Sequence, residues 1–301
     1  MSGSAGHAPR VGVVVVHFGD LKPTVVCVRS LREDPSPCER RIVVVDNSGN
    51  VPPGVLPGAE VVEAGCNAGY GGGANLGVGV LGPGPWDALV ILNNDIEVEG
   101  GYLGAALDAL HRPRVGAAAG PLYLDQPGGT LWYAGGGVDF LTGTVRQSRS
   151  RRQTGRERTV GFFPGAAFVV RHDAWQAVEG FDPTYFLYNE DVDLCLRLRR
   201  HGFRLLFVPA MVAVHRLGAV TGSGGKSPLY LEQLAATRLR PFRPLPYRLY
   251  LAFMHTGYVL LRALRHRTLS GGEGGREAAR ALLRGHGKAL ASIRQGPRGA
   301  T

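Results

Sequence analysis

Val11-Gly12-Val13-Val14-Val15-Val16 is the stretch that settles the architecture. A near-continuous β-branched run of this kind suits a strand covered on both faces, as in a sheet flanked by helices. Apolar runs return at Arg41 to Val45, Ala59 to Ala64, Ala88 to Leu92 and Val115 to Ala119. Between them the pattern is helical over Thr24 to Arg32, Ala74 to Leu81 and Tyr102 to His111. Strands alternating with helices predict a parallel sheet with right-handed crossovers. Ligands of such sheets bind beyond the carboxyl ends of the strands. Polar residues stand at those ends: His17, then Asp46-Asn47, then Asn93-Asn94-Asp95. The second half is less regular. Leu131 to Asp139 and Val160 to Val170 read as partly antiparallel strands, followed by a helix from Glu190 and strands at Arg204 to Val208 and Met211 to Val214. The whole reads as an α/β nucleotide-binding half joined to an acceptor half.

At 301 residues and 44% apolar content the chain has the composition of a globular protein. Met1 to Arg10 is small and polar with no signal-peptide pattern, and is expected to be disordered. Cys27, Cys38, Cys66 and Cys195 lie far apart without metal spacing, which points to reduced thiols in a cytoplasmic protein. The net charge of +10 is unevenly placed: from Arg238 onward thirteen Lys/Arg face only Glu273 and Glu277. The expected organisation is therefore one domain over 11–240 and a basic, helical extension over 241–301. Within it, Leu249 to Leu261 is too short to span a bilayer. It reads as an amphipathic helix at the inner membrane surface, with Arg248, Arg262, Arg265 and Arg267 toward lipid phosphates, or as a helix packed on the body. No nucleic-acid reader motif accompanies the positive charge, so no nucleic-acid partner is expected.

Three segments carry chemistry. Tyr188-Asn189-Glu190-Asp191-Val192-Asp193 sets three carboxylates at the opening of a helix, where the dipole favours negative charge. Either Asn189 simply caps acids of the first turn, or one carboxylate is aimed into a pocket. Cys66 to Asn75, with Gly69 and Gly71 to Gly73, follows a strand and opens a helix; its glycines suit a close approach to phosphate or sugar, or a flexible loop. Asn93-Asn94-Asp95 can hold a divalent cation under a diphosphate, or make a turn. His215, closing another apolar strand, is a candidate ligand to the same ion or a structural histidine. Asp46 could meet a base or ribose, or initiate a turn. Arg146, Arg149, Arg151, Arg152, Arg156 and Arg158 form a basic loop that is either solvated or captures a phosphorylated ligand.

Together, Val43 to Ser48, Asn67 to Asn75, Leu92 to Asp95, Phe163 to Arg171, Gly180 to Phe186, Glu190 to Arg197, Gly202-Phe203 and Val214-His215 resemble family 2 glycosyltransferases of the GT-A fold. The likeness is to the rhamnosyltransferase-like and galactofuranosyltransferase-like branch, over about Val11 to Arg240. It implies a Rossmann-like nucleotide-binding half with a mostly parallel central sheet, an acceptor-binding half and C-terminal helices. It implies Asp191 as general base, with Glu190 beside it, and Asp95 and His215 with Asn93 at a Mn2+ or Mg2+ site. His17, Asp46, Asn67, Gly69, Tyr70, Asn75 and Asn94 would bind the nucleotide-sugar. The acceptor would be a glycan, a lipid-linked glycan or a small molecule. One departure is Asn93, which stands where the family's D-x-D has its first carboxylate.

Overall fold

The computed structural model describes residues 8–216, 227–269 and 272–293. The first half runs β1 (Arg10–His17), α1 (Leu21–Glu33), β2 (Glu39–Asp46), β3 (Glu60–Glu63), α2 (Gly69–Leu81), β4 (Ala88–Asn93), β5 (Ile96–Val98), α3 (Tyr102–Leu110) and β6 (Val115–Ala119). A stretch of short strands follows: β7 (Leu122–Tyr123), β8 (Leu131–Tyr133), β9 (Gly136–Asp139), β10 (Thr144–Gln147), β11 (Arg158–Val160) and β12 (Ala167–Val170). The chain continues through α4 (His172–Ala177), α5 (Glu190–Arg200), β13 (Arg204–Phe207), β14 (Ala213–His215), α6 (Pro228–Thr237), α7 (Leu245–Leu269) and α8 (Gly272–Ser292).

Eight strands form the central sheet in the order β11-β13-β6-β12-β4-β1-β2-β3. Pairs β1–β2, β1–β4, β2–β3 and β6–β13 are parallel, as the alternating pattern predicts. The departure is β12, inserted antiparallel between β4 and β6, with β11 antiparallel to β13 at the edge. The reason is the excursion after β6, where the chain leaves the sheet for β7 to β10 and re-enters from the opposite end. Val13, Val14, Val15, Leu89, Val90 and Ile91 are fully buried, as strands covered on both faces require. Each such side chain contributes about 1.5–3 kcal/mol relative to exposure.

A second sheet, β5-β14-β7-β8, positions the site. β14 runs antiparallel to β5, with His215 opposite Ile96 and the Arg216 N–H donating to Asp95 O at 2.9 Å. This register brings His215 from late in the chain to the carboxyl end of β4.

Several expectations change in detail. Residues 1–7 of the stretch expected to be disordered lie outside the described residues, whereas Arg10 opens β1 opposite Glu39. The glycine run is helical from Gly69. A Cβ on Gly73 would meet Val16 at 2.9 Å, and one on Gly77 would meet Val14 at 2.4 Å. These glycines, four residues apart, let α2 lie directly on β1, so their closeness serves helix–sheet packing. Of the basic loop, Arg146 pairs with Asp139 at 2.9 Å, and Arg158 lies over the Phe207 ring at 4.3 Å; Arg149, Arg152 and Arg156 are exposed. The last helices α6, α7 and α8 enclose a small apolar cluster of Leu231, Val259, Ala278, Ala281 and Leu282. That cluster draws in α6, ahead of residue 241. Phe242, Leu251, Ala252, Ala289 and Ile293 join the main core. Among the described residues no helix is long and apolar enough to cross a membrane.

Candidate active site

The three carboxylates at the start of α5 separate into three environments. Asp193 turns into the protein and pairs with Arg197 Nε at 2.6 Å, while Arg197 also donates to Gly180 O at 2.7 Å. That pair fastens α5 to the preceding loop. Asp191 accepts the Gly165 N–H at 3.0 Å and the Val192 N–H at 2.8 Å. Glu190 is buried, and its Oε2 has no hydrogen-bond partner among the described residues. Burial, then the neighbouring Asp191 charge, raises the Glu190 carboxyl well above the usual range. Burial also raises Asp191, against the Gly165 and Val192 N–H groups, which favour its charged form.

The capping alternative for Asn189 does not hold. Tyr188 and Asn189 are both left-handed, at φ 65° each, and Asn189 makes no side-chain cap bond. Its Nδ2 instead donates to Thr237 Oγ1 at 2.8 Å, linking α5 to α6. Left-handed backbone costs a bulky residue such as Tyr188 about 1–3 kcal/mol, a strain that gathers at functional sites.

Gly165 is the support that the sequence pattern did not single out. Its N–H holds Asp191, its carbonyl accepts the Tyr70 hydroxyl, and a Cβ there would stand 3.1 Å from the Tyr70 ring. Tyr70 packs edge-on to Phe181 at 5.7 Å, so α2 and α5 are joined through this one glycine. Gly69, at φ 73°, is held to glycine because a Cβ would collide with Phe186 O at 2.1 Å. Asn67 Oδ1 accepts the Gly69 N–H at 3.0 Å and shapes the entry to α2.

The other candidates fall into two groups. Asp46 accepts N–H groups from Ser48, Gly49 and Val51, each at 2.8 Å. Burial alone would raise its carboxyl, but those three donors hold it below the usual value. Its oxygens therefore organise the turn after β2, the second of the two readings. His17 is fully buried. Its Nδ1 lies 2.6 Å from Thr24 Oγ1 and its Nε2 lies 2.8 Å from Asn50 Oδ1. Asn50 Oδ1 is an acceptor, which assigns the proton to Nε2. Asn94 donates to Thr24 Oγ1 at 3.0 Å in the same network. Asn75 spans the Phe181 backbone, donating to its carbonyl at 2.8 Å and accepting its N–H at 2.9 Å. His17, Asn94, Asn75 and Asp46 thus spend their polar atoms on holding strand ends and loops in place.

Asp95 and His215 behave otherwise. His215 Nε2 lies 3.1 Å from Asp95 Oδ1 but out of line for a hydrogen bond. Neither ring nitrogen has a hydrogen-bond partner among the described residues, although the side chain is buried. Trp132, which no pattern in the sequence signals, packs edge-on against the imidazole at 4.9 Å. An unpaired buried imidazole beside a carboxylate suits a divalent cation such as Mn2+. Among the described residues no third His, Cys, Asp or Glu joins them. Asn93 is half-buried at the end of β4, with its backbone N–H on Ala166 O at 2.9 Å.

Residues 88–223 match the family model described as Glycosyl transferase family group 2. The chain is 33% identical over 190 residues to the N-acetylglucosaminyl-diphospho-decaprenol L-rhamnosyltransferase of Mycobacterium tuberculosis, a match covering 55% of this chain and 61% of that protein. It is 38% identical over 78 residues to the rhamnosyltransferase WbbL of Escherichia coli, covering 26% of this chain and 30% of that one. The chain thus spans less than two thirds of the length of either relative. Its fold is similar to a solved structure of GalNAc-T7 with UDP, GalNAc and Mn2+ (TM-score 0.59, 14% identity, covering 96% of this chain and 57% of that one). It is also similar to the mannosyltransferase PcManGT from Pyrobaculum calidifontis in complex with GDP-Man and Mn2+ (TM-score 0.54, 17% identity, 98% and 77% covered). Residues 88–223 thus resemble the group 2 glycosyl transferases, and the fold of the chain is similar to that of solved GT-A glycosyltransferases.

Proposed function

We propose that the protein moves a sugar, rhamnose or another hexose, from a dTDP- or UDP-activated donor to an acceptor hydroxyl, inverting the anomeric configuration. The observation that carries this is Asp191. It is a carboxylate at the opening of a helix, oriented by a backbone N–H and raised toward neutral pH, where a general base is most effective. Asp191 takes the proton of the acceptor hydroxyl as that oxygen attacks from the face opposite the leaving diphosphate. Glu190, whose carboxyl is raised by burial and by the Asp191 charge beside it, is free to contact the acceptor. Tyr70 and Gly165 fix Asp191 in position, removing part of the entropic barrier. The nucleotide lies over the carboxyl ends of β1, β2 and β4, on loops that His17, Asp46 and Asn94 hold, with Asn67, Gly69 and Asn75 fixing the neighbouring start of α2. Asp95 and His215, with Asn93 alongside, would hold the divalent cation, which offsets charge on the diphosphate when bound. The named substrate of the mycobacterial relative makes a lipid-linked glycan the favoured acceptor, met at the cytoplasmic face of the membrane.

Nucleoside diphosphate release from UDP-, dTDP- and GDP-sugars, with Mn2+, Mg2+ or chelator, tests the reading. Release from one donor, abolished by chelator, establishes the transferase and its cation. Release that survives chelation keeps the transferase and removes the cation. No release and no nucleotide binding would leave a homologue that has lost catalysis.

A further inference from the structure

We propose that the outward face of α7, continued by the tip of the β9–β10 hairpin, is a docking surface for an anionic lipid bilayer. This goes beyond the transfer reaction and stands whether or not transfer is found. Leu249, Phe253, Leu260 and Leu264 stand four, seven and four residues apart along one side of the helix, with Met254 and Leu261 beside them. All six are exposed, Phe253 at 80% and Leu261 at 68%. Leu251, Ala252, Val259 and Ala263 form the opposite, buried face. α7 is therefore apolar on both sides, and its outer stripe runs about 22 Å at about 1.5 Å per residue. Single exposed leucines are ordinary; a contiguous stripe marks an interaction surface.

The hairpin tip lengthens that surface. Tyr250 donates to Leu141 O at 3.0 Å, the Tyr247 hydroxyl donates to Phe140 O, and His255 Nε2 bonds Thr142 O at 2.7 Å. The Phe140 and Leu141 side chains, so anchored, stand 49% and 72% exposed.

Charge selects the occupant. From Arg238 to Leu269 the sequence has seven arginines and no Asp or Glu. Arg248, expected to reach lipid, is instead buried and donates to Ser292 O, and Arg240 lies over the Tyr185 ring, so Arg262, Arg265 and Arg267 carry the charge of this face. Arg265 and Arg267 are exposed at the end of the stripe, and Arg262 lies over the Tyr258 ring at 5.9 Å beside it. A second copy seated on this face by a two-fold axis would bring like charges together. Lipid phosphates at headgroup level match the arginines, while the stripe enters the acyl boundary. The surface is also tied to the catalytic helix: α8 packs on both α7 and α6, and Thr237 of α6 holds Asn189.

The test is flotation of the full chain with vesicles of phosphatidylcholine alone or with added phosphatidylglycerol. The variants are Phe253→Glu with Leu261→Glu, and Arg265→Glu with Arg267→Glu. We expect binding to the anionic vesicles that falls about tenfold or more without phosphatidylglycerol, in high salt, and in each double variant. Thermal melting should be unchanged, since all four positions are outside the core. Absence of binding by the unaltered chain, or variants that bind as it does, would overturn the proposal. So would a dimer in sedimentation velocity that Phe253→Glu with Leu261→Glu dissociates, which would make a second copy the occupant. Nucleoside diphosphate release measured without vesicles should be equal in all three proteins, which separates this surface from the reaction.

Discussion

At the scale of single residues, the carboxylate pair makes opposite demands on activity and stability. Asp191→Asn should lower turnover by about 10²–10⁴ while donor binding, measured by calorimetry, is retained. Because Asp191 is raised, the acid limb of the unaltered protein's pH–rate profile should lie nearer neutrality than an ordinary carboxylate would place it. Glu190 acts on folding. Between its ordinary value and its raised one, the folded protein keeps a proton that the unfolded chain releases, so stability falls as pH rises through that window. Glu190→Gln removes this loss. Its melting temperature relative to the unaltered protein should therefore rise from acid toward alkaline pH, and an unchanged difference across pH would contradict the buried placement.

Elements show where the sequence could be read and where it could not. The strands of the first half were legible because burial on both faces leaves a continuous β-branched signature, as in Val11 to Val16. The carboxylates of α5 were legible as a group. Their division into a carboxylate held by backbone N–H groups, a buried acid and a salt-bridged anchor was not, because it depends on Gly165 and Arg197 reaching them in space. The direction of β12 was equally hidden, since strand polarity comes from the path of a loop and not from any residue in the strand. For α2, the glycines were visible but their purpose was not. Gly77→Ala should destabilise by about 1–3 kcal/mol, because overpacking against Val14 outweighs the gain of up to about 1 kcal/mol in helix propensity. Gly79, exposed and with nothing near its missing Cβ, should give the opposite sign when changed to Ala. Chemical denaturation of the two variants side by side checks both.

For the whole molecule, the question is whether the C-terminal helices are an appendage or part of one cooperative body. Phe242, Leu251 and Ile293 sit in the same core as the central sheet, and Asn189 ties α5 to α6. Calorimetry should therefore show a single unfolding transition, with equal calorimetric and van't Hoff enthalpies. A separate low-temperature transition would mean that the helices melt alone. A single transition would give the uneven charge of the sequence a physical meaning: a strongly basic end folded as one unit with a nearly neutral body.

The edge-on contact of Trp132 with His215 would also give the protein an optical reporter of the proposed cation site. The other two indoles are committed elsewhere, Trp86 under Arg10 and Trp175 against Phe181. A paramagnetic ion at Asp95 and His215 would stand within a few ångströms of one emitter, whereas Mg2+ at the same place would leave its brightness almost untouched. Titrating Mn2+ should dim the tryptophan emission by up to the share belonging to Trp132, and Trp132→Phe should abolish the response, so that occupancy can be followed in real time without any substrate.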